Sequence, residues 1–117
     1  MKMAKRRRNK YKNVKSGGYD SKKEHRRATE LKLLEKAGEI SDLKEQVVFE
    51  LLPSQYREVD GKRKCIEKVV KYIADFSYIE NGEYIVEDVK SQISKTPAYV
   101  IKRKLMLFLH DIVVRET

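Results

Sequence analysis

The dipeptide Asn81-Gly82 constrains the fold more than any other feature of this sequence. Segments in which apolar and polar residues alternate flank it on both sides, and Asn-Gly between such segments is the strongest short signal for a β-hairpin with a type I′ turn. We predict the two strands at residues 69–79 and 83–90. Because a two-residue turn leaves no freedom in the pairing, it fixes which residues face each other.

The predicted register places two carboxylates opposite each other. Asp75 faces Asp88, and Lys90 lies two residues further on the same face, whereas Glu87 points to the other face of the sheet. Like charges directly opposite each other destabilise a sheet, so such a pair either shares a proton or holds a cation. Oxygen ligands without a nearby Cys or His favour Mg²⁺ or Mn²⁺, and the lysine would lie close to any phosphate bound there.

Each of these charges also has a simpler explanation. Asp75 alone fits a strand edge in water, and Asp88 with Lys90 fits an exposed charge pattern of little energetic weight. The strands are apolar around these positions, however, which predicts burial. Because burying unpaired carboxylates is unfavourable, the combination of the three residues indicates a ligand.

Glu24 is the expected third carboxylate. A helix is predicted over residues 21–39, with Asp20 or Ser21 as its cap and Gly38 just beyond its last turn. Glu24 lies one turn before the apolar stripe of this helix, on the same edge. The stripe consists of Ala28, Leu31, Leu34 and Ala37. The spacing Ser21-x-x-Glu24 also matches a capping box, so a ligand role and a capping role are both open.

A first strand is predicted at residues 43–52, and its Gln46 is a candidate to face the site. The strand stops at Pro53. Residues 53–68 are polar and contain the turn signal Asp60-Gly61. This segment forms either a loop or a protruding hairpin, and the pattern does not decide between the two.

A second helix is predicted to begin at Pro97 with Thr96 as its cap. Its predicted apolar face consists of Ile101, Leu105, Phe108 and Leu109. Residues 112–116 are predicted to form a short closing strand. The order helix, strand, strand, strand, helix, strand, without any repeat, predicts a single α/β domain.

The positive charge is concentrated at the N-terminus. The net charge is +9, and the first 17 residues contain eight Lys or Arg and no acid, which leaves the rest nearly neutral. With Gly17-Gly18 as a hinge, we divide the 117 residues into a basic arm at 1–18 and one domain at 19–117. Such an arm binds phosphate backbones without reading sequence; a localisation signal or a solubilising tail are the alternatives. Its candidate DNA contacts are Arg6, Arg7, Arg8, Lys10 and Lys12.

The sequence argues against several classes of protein. It has no run of about 18 apolar residues that could span a membrane, and its beginning lacks the apolar segment of a signal peptide. Cys65 is the only cysteine, so an internal disulfide is impossible, and one Cys with two His cannot build a zinc cluster. We therefore expect a cytoplasmic protein that needs neither a membrane nor an organic cofactor.

The charged residues resemble the signature of the PD-(D/E)XK nuclease superfamily. That signature has an Asp on the second core strand, (Asp/Glu)-x-Lys on the third, and often a Glu on the first helix. Asp75, the segment Asp88-Val89-Lys90 and Glu24 match these positions. The resemblance implies a restriction-endonuclease-like αβββαβ core, with a mixed sheet flanked by helices.

The resemblance also implies a role for each residue. Asp75, Asp88 and the backbone carbonyl of Val89 would bind Mg²⁺ or Mn²⁺, and Glu24 would bind it directly or through water. Lys90 would orient the attacking water and stabilise charge on the phosphate.

Nearly all of residues 19–117 also resemble a family of small phage proteins catalogued as a domain of unknown function. Together the two resemblances imply a metal-dependent DNA endonuclease of phage DNA metabolism, and the small surface favours branched or junction DNA over reading of bases. Resolvases of related fold act as dimers, so a homodimer is an open option. The alternatives are a non-catalytic nucleic-acid-binding protein that keeps the fold, or an accessory subunit. On the second helix, Lys102, Arg103 and Lys104 are candidates to bind the DNA backbone or simply form a solvated face, with Tyr99 as a further candidate.

Overall fold

The fold is taken from a computed structural model, which describes residues 21–117. The predicted arm contacts Arg6, Arg7, Arg8, Lys10 and Lys12 lie outside these residues. The elements follow in the order α1 (Lys22–Lys36), β1 (Ser41–Leu52), β2 (Gln55–Val59), β3 (Lys62–Glu67), β4 (Val70–Glu80), β5 (Glu83–Asp88), α2 (Pro97–His110) and β6 (Arg115–Glu116). No helix in this part of the chain is long and apolar enough to cross a membrane.

The strands form a four-stranded mixed sheet and a separate two-stranded hairpin. The sheet order is β1-β4-β5-β6, in which β4 is antiparallel to both β1 and β5, and β6 runs parallel to β5. The predicted order of helices and strands is confirmed for the elements of this sheet. The additional hairpin, β2–β3, is formed by the polar segment whose structure the sequence left open, with Asp60-Gly61 as its turn.

The turn at Asn81-Gly82 has the predicted conformation and register. Both residues have positive φ, 52° and 79°, as a type I′ turn requires. Glu80 pairs with Glu83, and the ladder continues without a bulge to the pair Phe76–Glu87. The register predicted from the turn is therefore confirmed as far as the pair that adjoins the two aspartates.

Helix α1 begins where the sequence predicts. Ser21 is its N-cap, and the Ser21 hydroxyl accepts a hydrogen bond from the backbone N–H of Glu24 at 3.0 Å. Gly38 follows the last turn with φ of +83°, a conformation that favours glycine. Of the predicted apolar stripe, Ala28 and Leu31 are buried, but Ala37 is exposed because the helix ends before it.

The core consists of two clusters, one beneath each helix. The cluster beneath α1 contains Ala28, Leu31, Ile40, Phe76 and Tyr78. The cluster beneath α2 contains Leu51, Tyr72, Ala74, Val86, Tyr99, Met106 and Val114. Strand β4 contributes two residues to each cluster, and Asp75 lies between the two contributions. The predicted site residue is therefore at the junction of the two halves of the core.

The predicted apolar face of α2 is wrong. Tyr99 and Met106 are the buried residues, whereas Ile101 and Phe108 are exposed, the latter to 83%. The two buried residues are seven positions apart, and so are the two exposed ones. Either face of the helix therefore satisfies the helical periodicity. Of the other predicted face residues, Leu105 is partly buried and Leu109 is exposed. The start of the helix is as predicted, since the Thr96 hydroxyl accepts from the Tyr99 N–H at 3.1 Å.

The closing strand is shorter than predicted. Only Arg115–Glu116 pairs with β5. Asp111, in the left-handed conformation, ends α2, and Ile112 and Val114 then pack against the cluster beneath that helix. The apolar residues that indicated a strand therefore belong to the core as a connecting segment.

Glu87 is buried beneath α1 with a complete set of partners. Its side chain is 0% exposed and accepts hydrogen bonds from Arg27 at 2.6 and 3.1 Å, from the Tyr78 hydroxyl at 2.5 Å and from the Thr117 hydroxyl at 3.0 Å. Burial acts to raise the pKa of Glu87, but these donors outweigh it, so the pKa is lowered. Glu87 thus lies on the face opposite to the aspartates, as predicted, and holds β5 to α1.

We expect Glu87→Gln to lower the free energy of unfolding by about 3 kcal/mol, because it leaves the partly buried guanidinium of Arg27 without its anion. Urea titration at neutral pH measures this quantity. Glu83→Gln, at the exposed start of β5, is the matched control and should change stability by less than about 0.5 kcal/mol. Equal stability of the two variants would contradict the structural role of Glu87.

Candidate active site

Asp75 and Asp88 lie where the ladder between β4 and β5 ends. The last backbone pair is Phe76–Glu87, one residue before the aspartates. Beyond it, side chains replace the ladder. The N–H of Asp75 donates to Oδ1 of Asp88 at 3.0 Å, and the N–H of Val89 donates to Oδ2 of Asp75 at 2.9 Å. The two aspartates therefore face each other as predicted, each bonded to the backbone of the opposite strand.

Asp88 is held from the side of α2 as well. The Tyr72 hydroxyl donates to Oδ2 of Asp88 at 2.5 Å, and the Lys90 ammonium lies 3.6 Å from the same oxygen. The Lys90 ammonium also lies 4.3 Å from the centre of the Tyr99 ring, a cation–π contact. Burial raises the pKa of the Tyr72 hydroxyl, and the bond to Asp88 adds to this, so Tyr72 remains a proton donor. Asp88 and Lys90 are therefore positioned by two aromatic side chains.

Strand β6 fixes the backbone around Val89. The N–H of Thr117 donates to the carbonyl of Asp88 at 3.0 Å, and the N–H of Lys90 donates to the carbonyl of Thr117 at 2.9 Å. These two bonds extend the parallel pairing beyond the end of β5. The segment Asp88-Val89-Lys90 is thus bonded to β4 on one side and to the end of the chain on the other.

Glu24 and Gln46 lie beside the aspartate pair. Glu24 is only 8% exposed, and Nε2 of Gln46 donates to its carboxylate at 3.4 Å. Gln46 has φ of +53° in the middle of β1, opposite Asp75 in the register of β1 with β4. Non-glycine residues in this conformation are uncommon and concentrate at functional sites. The Ser21 hydroxyl accepts from the backbone N–H of Glu24, which is one half of the predicted capping box, while the Glu24 carboxylate accepts from Gln46. The ligand role of Glu24 stays a prediction.

The acidity of the Asp75 carboxyl is strongly perturbed. Its pKa is raised to about 7, chiefly by burial and then by the neighbouring carboxyls of Asp88 and Glu24. The N–H of Val89 acts in the opposite direction by donating to the carboxylate. Near neutral pH the metal-free pair therefore holds a proton part of the time, in the place where a cation would relieve the same repulsion.

An open cleft of about 320 Å³ gives access to the two aspartates. Residues of β4 and α2 line it, together with the cations Lys71, Lys90 and Lys102. Of the three predicted contacts on α2, only Lys102 lies at this cleft. Arg103 is paired with Glu116 at 2.8 Å, and Lys104 lines a different surface of the helix.

The donor set of the cleft fits a hard cation. Asp75 and Asp88 supply carboxylate oxygens, and the carbonyl of Val89 follows directly in the chain. Among residues 21–117, no three His, Cys, Asp or Glu side chains form a complete metal cage. Mg²⁺ is commonly held by one or two carboxylates and completes its shell with water and substrate phosphates. The pair is thus suited to Mg²⁺ or Mn²⁺ shared with a substrate, and Glu24 would reach such an ion through water.

Sequence reasoning missed the roles of Tyr72, Tyr99 and Glu116. Tyr99 is largely buried, supports Lys90 through its ring and also lines the cleft, so its role as a DNA contact stays a prediction. Glu116 accepts from the Tyr99 hydroxyl at 2.7 Å and from Arg103, and these bonds lower the pKa of Glu116 to about 2. One signal in the sequence could have indicated these contacts. The hydroxyl of a buried tyrosine needs a hydrogen-bond partner, so a tyrosine in an apolar segment predicts a contact with a nearby acid.

We expect the metal-free protein to lose the stabilising contribution of Asp75 as the pH rises. A carboxyl whose pKa is raised on folding stabilises the fold fully below its unfolded pKa, and the contribution is lost as the pH passes the folded value of about 7. The stability of Asp75→Asn relative to the natural protein should therefore increase between about pH 4 and about pH 8, by about 2 kcal/mol after allowance for solvent in the cleft. Urea titrations in EDTA across this range measure the difference.

The control for this series is Asp60→Asn, at the exposed turn of the hairpin, whose stability difference should not depend on pH. Excess Mg²⁺ near pH 8 should raise the melting temperature of the natural protein and leave that of Asp75→Asn unchanged, because the variant lacks one ligand. A difference for Asp75→Asn that stayed constant with pH would refute the raised pKa.

Comparison with known proteins identifies the family without describing an activity. Neither a curated protein nor a solved structure matches the chain. The nuclease superfamily suggested by the charged residues thus remains a prediction. A family model matches residues 3–113, which is most of the 117 residues. The chain therefore belongs to the family described as "Protein of unknown function (DUF1064)".

Proposed function

We propose that this protein is a Mg²⁺-dependent endonuclease that hydrolyses phosphodiester bonds in DNA. The observation that carries the proposal is the convergence of Asp75, Asp88 and Lys90 at one open cleft. The three side chains come from the ends of two strands, and the backbone around them is held by hydrogen bonds on both sides. A carboxylate pair, one buried and one half-buried, beside a lysine is suited to binding a metal together with a phosphate.

The topology supports a restriction-endonuclease-like core. Without the β2–β3 hairpin, the order is α1, β1, β4, β5, α2, β6, which corresponds to αβββαβ. Asp75 then lies on the second core strand, Asp88-Val89-Lys90 ends the third, and Glu24 lies on the first helix. These positions correspond to the PD-(D/E)XK signature, in which the Glu on the first helix is a frequent member.

Each residue has a specific task in this proposal. Asp75, Asp88 and the Val89 carbonyl hold the ion, which supplies a Lewis acid for the phosphate and an activated water. The Tyr72 hydroxyl orients Asp88 by donating a hydrogen bond to its Oδ2 atom. Lys90, restrained between Asp88 and the Tyr99 ring, presents its ammonium to the scissile phosphate and stabilises the charge that develops there.

The cleft and its surroundings favour a polyanionic substrate. Lys71 and Lys102 line the cleft together with Lys90, so a phosphate chain that crosses it meets three cations. The small domain leaves little surface for reading bases, which favours branched or junction DNA in phage DNA metabolism. A homodimer would place two such clefts on one junction.

We expect the natural protein to cut DNA in the presence of Mg²⁺ or Mn²⁺ and to be inactive in EDTA. Asp88→Asn preserves the size of the side chain but removes its charge, and should lower the cleavage rate by at least about 100-fold. Gel analysis of linear, nicked and four-way-junction DNA measures cleavage and any preference for branched substrates. The matched control, Glu39→Ala in the exposed loop after α1, should cut like the natural protein.

Binding without cutting, unchanged in Asp88→Asn, would refute the nuclease and favour a non-catalytic nucleic-acid-binding protein of the same fold. Cleavage that appears only when other proteins are added would favour the accessory subunit. Cleavage that survives in Asp88→Asn would indicate a contaminating nuclease. A repeat of the assay with protein from a second, independent preparation would identify such a contaminant.

Deletion of residues 1–17 should weaken DNA binding and make it less sensitive to salt. The deleted segment contains eight Lys or Arg, so the slope of log K against log salt should fall by up to about 7 if all of them contact phosphates. Fluorescence anisotropy with labelled DNA in EDTA measures both quantities. The Mg²⁺-induced rise in melting temperature should persist, which controls for the fold, and an unchanged salt slope would exclude the arm from binding.

A further inference from the structure

The β2–β3 hairpin projects from the domain without contributing to its core. Every residue of β3 and all of β2 except Val59 are exposed. The two strands make their close contacts with each other, and neither core cluster includes any of their residues. A two-stranded hairpin with no apolar support is only marginally stable in water. The reason for its presence must therefore be sought in the surface that it displays.

The side chains of the hairpin separate into two different faces. Arg57 pairs with Lys64, and the neighbouring pair on the same face contributes Lys62. The opposite face carries Tyr56 and Cys65, with Arg63 stacked over the Tyr56 ring at 4.0 Å. We call Arg57, Lys62 and Lys64 the cationic face of the hairpin.

The charge of the cationic face is not neutralised by the domain. Arg57, Lys62 and Lys64 form no ion pair with any residue between 21 and 117, and Glu58 points to the opposite face. Two like charges directly opposite each other, as Arg57 and Lys64 are, destabilise a ladder. Both side chains are exposed to water, so an anionic partner would relieve this repulsion without breaking an existing ion pair.

We propose that the cationic face binds the phosphate backbone of duplex DNA next to the cleft. The inference deepens the proposed function, since it assigns a second contact to the same substrate. Lys62 and Lys64 are two residues apart on one strand, about 7 Å, so their ammonium groups can reach different phosphates of a DNA strand, which rises about 3.4 Å per phosphate along the helix axis. The hairpin joins β4 through only two residues, and Lys71 and Ile73 of β4 line the cleft. The hairpin therefore adjoins the end of β4 that lines the cleft, where it would lie beside a duplex bound there.

Lysines on exposed strands also have a purely protective use, because they prevent the edges from pairing with other chains. The two roles differ in what removal of the charge does. Loss of protection produces aggregation and leaves DNA binding unchanged. Loss of a phosphate contact weakens DNA binding and reduces its dependence on salt.

The test compares two double variants of the full chain that remove the same charge. Arg57→Gln/Lys64→Gln alters the cationic face, whereas Lys36→Gln/Lys44→Gln alters exposed residues of α1 and β1. Anisotropy with a duplex of about 20 base pairs in EDTA should show about tenfold weaker binding for the hairpin variant, and a salt slope lower by about 1.8. The control variant should stay within about twofold of the natural protein.

Cys65 offers an independent measurement, because it is exposed, is the only cysteine of the chain and lies on the face opposite to Arg57 and Lys64. A fluorophore on Cys65 should transfer energy to an acceptor at the end of the duplex. This transfer should decrease at equal DNA saturation when the cationic face is neutralised. The labelled natural protein must bind DNA with unchanged affinity for the measurement to count.

Natural affinity and salt slope in the hairpin variant would overturn the inference, and aggregation of that variant would then assign the cations to edge protection. Stronger binding of the hairpin to vesicles containing phosphatidylserine than to DNA would overturn it in favour of a membrane surface. The result is separate from the nuclease test: Asp88→Asn should bind DNA through the hairpin even though it does not cut. A protein that never cuts DNA but loses affinity in Arg57→Gln/Lys64→Gln would refute the nuclease and support the hairpin contact.

Discussion

The reciprocal bonding of Asp75 and Asp88 to each other's strand is the constraint on which the site depends. At this point the ladder between β4 and β5 is continued by carboxylates, so the two strands stay close while their acids converge. The arrangement fixes the geometry, and at the same time burial and then the neighbouring carboxyls raise the pKa of Asp75. Stability alone would favour a regular ladder with neutral side chains, and the cost of the observed one is explained if the pair binds a cation.

Glu87 and Asp88 show how adjacent buried acids can have opposite purposes. Glu87 receives a guanidinium and two hydroxyl groups beneath α1, and its pKa is lowered. Asp88 points to the other face, where a second acid rather than a guanidinium lies opposite. Burial is similar for the two residues, 0% and 2% exposure, so burial does not distinguish structure from function. The partners distinguish the two residues, because Glu87 is neutralised by a guanidinium whereas Asp88 lies beside a second acid, whose repulsion a bound cation would remove.

The elements that could be predicted are those governed by local chemistry. The turn at Asn81-Gly82, the caps Ser21 and Thr96 and the facing of the two aspartates follow from a few neighbouring residues each. The buried face of α2 could not be predicted, because apolar residues occupy both faces at the same spacing and tertiary contacts choose between them. The support of Asp88 by Tyr72 was equally beyond reach, since it depends on how two strands bend apart after their last pair. The length of β6 was missed because apolar residues of a connection into the core resemble a strand.

The distribution of paired and unpaired cations carries more information than the net charge. Arg27, Arg103 and Arg115 are bonded to Glu87, Glu116 and Glu80 respectively, and each of these pairs joins two elements of the fold. The cations of the hairpin have no such partners within the described part of the chain, and Lys102 lies at the rim of the cleft. A guanidinium that is already neutralised by a carboxylate must give up that bond before it can bind a phosphate, whereas an unpaired cation needs only to release its water and counterions. If the proposed function is correct, the unpaired cations of the cleft rim and of the hairpin are therefore the first to be expected at the phosphates of the substrate.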